Sequence, residues 1–140
     1  MKTAQSAITV ETIVNVPVGK AWKYFNTPEH ITQWAFASDD WHAPYSENDL
    51  RKDGKFKTTM AAKDGSFSFD FEGVYNDVVP HRSFEYAMSD GRKVKVVFTE
   101  EGKKTRVTET FDPENENEIE MQRAGWQAIL ENFRKHAESL

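Results

Sequence analysis

The chain has 140 residues, no cysteine and a formal net charge of −5, with 38% hydrophobic and 29% charged residues. This length and composition are typical of one water-soluble globular domain rather than a disordered chain, so we expect a single domain over residues 1–140. The acidic balance disfavours nucleic acid and anionic membrane surfaces as partners, and the missing cysteines exclude disulfides, thiolate nucleophiles and thiolate metal ligands.

The sequence carries no signal for a membrane or for export. Its longest uninterrupted apolar run is four residues, from Trp34 to Ala37, whereas a bilayer requires about 20. The first ten residues contain no basic segment followed by an apolar one. We therefore expect a cytoplasmic protein.

The first predicted elements are a strand followed by two short helices. Apolar residues alternate over residues 7–16, as in a half-buried strand. Pro17 presets the first turn of a helix whose apolar stripe ends at Asn26. Thr27 is the predicted cap of a second short helix, which ends near Trp34.

The segment that follows has no clean period and is predicted to be an irregular connection, with a strand starting near Tyr45. It contains Asp39, Asp40, Trp41 and His42, which place two carboxylates beside an aromatic ring and a group that titrates near neutral pH. These four residues could form a lid over a binding site. Alternatively, Trp41 could hold a solvated loop against the end of the fold.

Five turn signals then divide the chain into a predicted antiparallel meander. They are Asp53-Gly54, Asp64-Gly65, Val79-Pro80-His81, Asp90-Gly91 and Glu101-Gly102. Between them, large apolar residues share one parity and charged residues share the other, so one face of the sheet is expected to be wet and the other packed. A last strand is predicted over residues 104–111.

A long amphipathic helix is predicted over residues 119–140, preceded by an acidic stretch that offers an Asn cap. Gly125 interrupts it, which indicates close approach to a strand or room left for a ligand. An antiparallel sheet with one wet face must cover the other, and this helix is the available cover. We therefore expect an α+β helix-grip fold: a curved antiparallel sheet of about six to seven strands around the long helix, with two short helices after the first strand.

Four short motifs, spread over most of the chain, carry a family resemblance. They are Asp49-Leu50-Arg51-Lys52-Asp53-Gly54-Lys55-Phe56, Gly73-Val74-Tyr75, Thr105-Arg106-Val107-Thr108 and Gly125-Trp126. The pattern resembles the START-like (SRPBCC) superfamily, and within it the branch related to the activator of heat-shock-protein-90 ATPase. This resemblance implies a helix-grip fold with a deep apolar cavity, used elsewhere in the superfamily for lipids, sterols, polyketides or hormones. It also implies, as an alternative, a co-chaperone-like module for a heat-shock-protein-90-type ATPase.

The candidate ligand-binding residues are mainly large side chains expected to face that cavity. They are Trp34, Phe36, Trp41, Phe69, Phe71, Tyr86, Glu109, Trp126 and Ile129. Rings in such a wall favour a small apolar or aromatic ligand, although each ring also fits an ordinary core position. The expected partner is this small ligand, with a chaperone as the alternative.

Glu109 breaks the apolar face of the last strand, because it lies between the inward-facing Val107 and Phe111. If it points into the cavity, burial raises its pKa and lets it orient a ligand or act as an acid or base. The alternative is a strand near the sheet edge, where Glu109 reaches solvent or pairs with a cation. Thr12 interrupts the first strand in the same way, and a buried hydroxyl bonded to backbone is its expected role.

The sequence shows no other catalytic or metal-binding pattern. The histidines, His30, His42, His81 and His136, are far apart in sequence and lack a carboxylate at ligand spacing. Neither a nucleophile elbow nor a phosphate loop occurs, so no metal and no cofactor are expected. The expected function is binding of a small hydrophobic or aromatic molecule, and a cyclase or hydrolase using a cavity acid or base, with Glu109 as candidate, is a further alternative.

Overall fold

The structure, a computed structural model, describes residues 6–140, which form seven strands and three helices. In chain order they are β1 (Ile8–Val14), α1 (Val18–Asn26), α2 (Pro28–Trp34), β2 (Trp41–Asn48), β3 (Lys55–Ala62), β4 (Ser68–Val79), β5 (Ser83–Met88), β6 (Lys93–Glu101), β7 (Lys104–Phe111) and α3 (Ile119–Glu138). Of the domain predicted over residues 1–140, residues 1–5 lie outside the described residues. The order of elements confirms the predicted α+β helix-grip fold.

All seven strands belong to one curled antiparallel sheet, in the order β1-β7-β6-β5-β4-β3-β2. From β2 to β7 the chain forms a meander, and β1 joins it at the far side by pairing with β7, where Ile8 lies opposite Phe111. The predicted turns separate these strands, and Gly65, Gly91 and Gly102 occupy the positive-φ positions that favour glycine. Because β1 and β6 flank it, β7 is an interior strand.

The core lies between the concave face of the sheet and α3. Phe133 of α3 is fully buried and packs against Phe25 and Trp34, with ring centroids 4.9 and 5.2 Å away. Further along the same helix, Trp126 stacks on Phe111 at 3.9 Å with the rings nearly parallel. None of the helices within residues 6–140 is long and apolar enough to cross a bilayer.

The irregular connection predicted over residues 34–48 is irregular only over residues 35–40, and residues 41–48 are the edge strand β2. It begins at Trp41, not near Tyr45, because Trp41 and His42 pair with residues of β3 before the register shifts between His42 and Tyr45. The shift contains Pro44, which cannot donate to a ladder. A bulge of this kind removes the alternation by which a strand is recognised in sequence.

The predicted helix caps are wrong in detail. The Thr27 hydroxyl donates to a backbone carbonyl of the preceding α1 at 2.7 Å instead of capping α2. No side chain caps the first turn of α3, where Glu118 is the N-cap residue. Gln122, inside the helix, instead holds the preceding loop: its Oε1 accepts from the Glu114 backbone N at 2.9 Å, and its Nε2 donates to the Asn117 carbonyl at 2.9 Å. The helix then ends at Glu138, so Leu140, predicted on its apolar stripe, is 64% exposed.

Gly125 is not a point of close approach. No atom lies within 4 Å of the position that a Cβ would occupy there, and the residue lies well inside α3. The predicted contact with a strand is therefore wrong. The remaining effect of Gly125 is to destabilise α3, because a glycine loses more backbone entropy than an alanine on entering a helix.

Substituting Gly125→Ala is accordingly expected to raise the free energy of unfolding by about 1 kcal/mol, because alanine fits without displacing a neighbour and restricts the unfolded chain. Urea denaturation followed by circular dichroism measures the change. The matched control is Ala124→Gly at the adjacent exposed position, which should lower stability by about the same amount. A loss of stability in Gly125→Ala would contradict the open environment described here.

Candidate functional site

A cavity of about 300 Å³ lies between the concave face of the sheet and the helices. Nine aromatic side chains contribute to its wall, and the surface inside is mainly apolar. Phe56 meets Tyr86 edge-on at 4.6 Å, and Phe71 meets Trp126 at 5.9 Å. Gly73 makes room for this arrangement, since a Cβ there would lie 3.0 Å from the Phe56 ring.

Most of the predicted ligand-binding residues line this cavity. The wall includes Trp34, Phe69, Phe71, Tyr86, Glu109, Trp126 and Ile129. They come from α2, β4, β5, β7 and α3, and the curl of the sheet brings them to one space. Gly125, next to Trp126, is not part of the wall.

Phe36 and Trp41 were predicted to line the cavity, and both lie outside its wall. Phe36 follows α2, and its backbone carbonyl accepts a hydrogen bond from Asn132 Nδ2 of α3 at 2.8 Å, which holds this residue at the junction of the two helices. Trp41 begins the edge strand and packs against Phe67 and Phe69, with ring centroids 6.0 Å apart in each case.

The predicted lid is replaced by a fixed strand end. Trp41 and His42 are held in the ladder opposite Ala62 and Ala61, and only the preceding two aspartates lie in an exposed turn. We call Trp41, Phe67 and Phe69 the edge cluster. Phe67 and Phe69 are 59% and 42% exposed, although their parity predicted a packed position, because they pack mainly on each other and on Trp41.

Thr12 is buried, as expected, but it does not line the cavity, and its hydroxyl interacts with the Glu131 carboxylate of α3 and not with backbone as predicted. Its strand β1 lies directly under α3, where Gln127 Nε2 donates to the Glu11 carbonyl at 3.0 Å and Arg123 Nη1 to the Thr9 carbonyl at 3.4 Å. No residue of β1 lines the cavity.

Glu109 points inward from β7 and lines the cavity. Its residue is 8% exposed, and its neighbours across the ladder are Val10 on β1 and Val96 on β6. Within residues 6–140 the carboxyl forms neither an ion pair nor a hydrogen bond, and burial raises its pKa to about 8. The alternative, a carboxylate that reaches solvent or pairs with a cation, is therefore wrong.

The Tyr86 hydroxyl is a second polar group in the wall that has no hydrogen-bond partner among the described residues. Burial, and then the nearby charge of Glu109, raise the pKa of Tyr86. Across residues 6–140, every side-chain N or O atom that is completely sealed from a water-sized probe has a partner. The Glu109 carboxyl and the Tyr86 hydroxyl are therefore both accessible from the cavity.

The other polar groups in the wall are already engaged. Tyr75 donates its hydroxyl proton to Asn48 Oδ1 at 2.6 Å, and Asn48 Nδ2 donates to the Asn26 carbonyl at 2.7 Å. Arg92 pairs with Asp90 at 2.7 Å. In chemical terms the cavity thus offers a large aromatic surface and two free groups, a carboxyl and a phenol.

A family model for Activator of Hsp90 ATPase homolog 1-like proteins matches residues 15–138. The chain belongs to this family. The AHSA1-like protein from Aeromonas hydrophila, a solution NMR structure, is 41% identical, with 95% of this chain and 92% of that chain covered and a TM-score of 0.89.

Chr148 from Cytophaga hutchinsonii is 52% identical at the same coverage of each chain, with a TM-score of 0.83. NE0264 from Nitrosomonas europaea, at 16% identity over 99% of this chain and 97% of that chain, has a TM-score of 0.82 and shows the fold alone. None of the curated proteins matches the chain. The family membership confirms the resemblance predicted from the sequence motifs.

A histidine pair in this AHSA1-like protein was not expected from the sequence. His30 Nδ1 and His136 Nε2 are 2.9 Å apart, joining α2 to the last turn of α3, and Tyr24 packs on His30 at 4.7 Å. The two histidines are 106 residues apart in the chain, so no local pattern relates them. Within the described residues no cluster of three or more candidate metal ligands occurs.

The pair makes the stability of the AHSA1-like fold depend on pH. Burial, and then the charge of His30, lower the pKa of His136 below its ordinary value of 6.5. As the pH falls through that value, the unfolded chain takes up a proton on this ring before the folded chain does, so the pair's contribution to stability is lost. Relative to His136→Gln, wild type should lose stability between about pH 7.5 and 5 in thermal denaturation. The exposed His42→Gln is the control. If the difference in stability between wild type and His136→Gln stays the same across this range, the half-buried pair does not control the pH dependence.

Proposed function

We propose that this AHSA1-like protein binds a small hydrophobic or aromatic molecule in the cavity. The observation that carries the proposal is the free Glu109 carboxyl, more than nine-tenths buried in an aromatic wall. A buried polar group without a partner costs stability. A guest that fills the apolar space and supplies that partner removes part of the cost, which is a driving force for binding.

The size of the cavity supports a ligand of about two aromatic rings. An engineered apolar cavity of about 150 Å³ accommodates benzene, and this cavity has about 300 Å³. The rings of Phe71, Tyr86 and Trp126 supply faces and edges for the apolar part. Glu109 and Tyr86 then orient one polar group of the guest, as in pockets where a few polar atoms set the direction of binding.

A thermal-shift screen tests this function with 2-naphthol, indole and quinoline as two-ring probes and long-chain fatty acids for comparison. At about 100 times its dissociation constant, a probe that binds should stabilise the folded chain by about 2.7 kcal/mol. This stabilisation corresponds to a rise in Tm of roughly 5–10 °C.

The matched pair of variants is Ile129→Trp, which fills the cavity from its wall, and Ile13→Trp on the exposed face of β1. We expect Ile129→Trp to abolish the thermal shift and Ile13→Trp to retain it. The proposal fails if none of the probes stabilises wild type, or if Ile129→Trp responds as strongly as wild type.

A second function is favoured by the family and by the edge cluster. The matched family is described by its relation to an activator of Hsp90 ATPase. Phe67 and Phe69 of the edge cluster present a contiguous aromatic surface to solvent, a feature typical of protein docking sites. We therefore propose, as the alternative, that this cluster docks a heat-shock-protein-90-type ATPase.

Titration of such an ATPase with this protein, with bound fraction and ATP turnover as readouts, distinguishes the two functions. Phe67→Ser should lose binding under the chaperone proposal, whereas Leu140→Ser, equally exposed at the chain end, should keep it. Ile129→Trp should leave chaperone binding unchanged while removing the thermal shift. Binding that is absent in wild type, or is untouched in Phe67→Ser, would rule out the edge cluster as the docking surface.

A further inference from the structure

We infer that Glu109 is a general base, which removes a proton from carbon in a guest of about two rings held in the cavity. This activity rests on the proposed function, because the guest must enter the same space. It goes beyond binding, since the carboxyl then takes part in bond breaking instead of only orienting the guest.

The inference stands first on the position of the carboxyl. Glu109 is held on an interior strand, with Val10 and Val96 beside it and without a partner within residues 6–140 that would occupy its oxygens. Its oxygens are open to the cavity and not sealed beneath other side chains. A carboxylate in such a position is available to a C–H group of the guest and is shielded from bulk water, which otherwise weakens a base by solvating it.

The surroundings decide the protonation of Glu109. The titratable and charged groups in the wall are Tyr75 on β4, Tyr86 on β5, Arg92 before β6 and Glu47 on β2, and α3 contributes only the apolar Trp126 and Ile129. Three of these four groups are engaged elsewhere: Arg92 pairs with Asp90, Glu47 accepts from the Tyr45 hydroxyl, and Tyr75 donates to Asn48 Oδ1.

Burial therefore governs the basicity, and it raises the pKa of Glu109 to about 8. A base is most effective when its pKa lies near the working pH, because it then combines strength with a useful ionised fraction. Ordinary carboxylates, with pKa values near 4.3, are weaker bases. The Tyr86 hydroxyl, in the same wall, can donate a hydrogen bond to negative charge that develops on the guest.

The probe reaction is the opening of 5-nitrobenzisoxazole, a two-ring aromatic compound with an acidic C–H. The Glu109 carboxylate takes the proton from the ring carbon next to nitrogen. The C–H electron pair forms the third bond of a nitrile, the N–O bond breaks, and its electrons remain on oxygen as a yellow nitrophenolate. The proton on Glu109 is then released to water, so the step needs no oxidant, reductant or second substrate.

The measurement is the rate of nitrophenolate formation between about pH 6 and 10. Wild type should accelerate the reaction, with a rate that saturates in probe and rises to a plateau as Glu109 ionises near pH 8. Glu109→Gln should lose at least about 100-fold, the usual minimum for a positioned general base. Glu109→Asp keeps the carboxyl but shortens the side chain by one methylene, so its rate should lie between those of wild type and Glu109→Gln. The control Glu72→Gln, on the exposed face of β4, should match wild type.

Binding of the unreactive analogue 5-nitroindole, followed by tryptophan fluorescence, separates this inference from the proposed function. If the analogue binds but the rate is the same in wild type and Glu109→Gln, the base is refuted and ligand binding stands. If the protein binds neither the analogue nor the probe, both the ligand-binding proposal and the general-base inference are refuted. A saturable rate that lacks the rise near pH 8 would also overturn the inference, because another group would then be acting.

Discussion

Replacing Glu109 with glutamine is expected to stabilise the protein by about 3 kcal/mol at pH 7. The carboxyl has a pKa of 4.5 in the unfolded chain and about 8 in the folded one. Between these values the unfolded chain releases its proton and the folded chain does not, so stability falls as the pH rises from 4.5 to 8. Each pH unit above 4.5 lowers the free energy of unfolding by about 1.4 kcal/mol, so the loss at pH 7 is about 3 kcal/mol.

Glutamine cannot ionise, so the gain in Glu109→Gln should almost vanish at pH 4, where the carboxyl is neutral in both states. Urea denaturation at the two pH values measures the difference directly. Glu72→Gln makes the same chemical change on the exposed face of β4 and should alter stability by no more than about 0.5 kcal/mol at either pH. An effect of Glu109→Gln that is equal at pH 4 and pH 7 is incompatible with a buried carboxyl.

Truncating Phe133 to alanine is expected to cost about 3–5 kcal/mol, as for other buried aromatic side chains. The ring is 0% exposed and lies at the meeting point of all three helices, against Phe25 and Trp34. Loss of this ring removes apolar burial and leaves a void between α3 and the two short helices. The shift of the urea midpoint, at constant slope, measures the change.

Met121→Ala is the comparison for Phe133→Ala, since Met121 is on the same helix but is largely exposed. It should change the free energy of unfolding by about 0.5 kcal/mol or less. If Phe133→Ala lowers the free energy of unfolding by less than about 1 kcal/mol, α3 is not packed on the short helices as described. The walls of the adjacent cavity would then not be fixed by that contact.

The sequence was sufficient to predict those strands and helices whose apolar residues recur with a regular period. Strand parity placed Glu109 on the packed face of β7, and this held because a side chain two residues from Val107 and two from Phe111 must share their face of the sheet. The stripe of α3 was predictable for the same reason, with a period of 3.6 in place of 2. Five turn signals were enough to predict the meander.

Other features depend on contacts that no local pattern encodes. The bulge in β2 removed its alternation, and only pairing with β3 identifies it as a strand. The His30–His136 contact joins residues 106 positions apart. Phe67 shares the parity of Phe71, yet it is exposed, because parity assigns a face and does not say whether anything covers that face. For the same reason the sequence could not separate Phe36 and Trp41 from the rings that do line the cavity.

The central claim is that a free carboxyl lies inside an aromatic cavity, and titration of the Glu109 side-chain carbon by carbon-detected NMR tests it most directly. Between about pH 4 and 10 the resonance should move with a midpoint near 8, because burial in the folded chain disfavours the charged form of the carboxyl. A midpoint near 4.5, the value of a solvated glutamate, would mean that the carboxyl is hydrated, and the binding and proton-transfer proposals would both lose their basis.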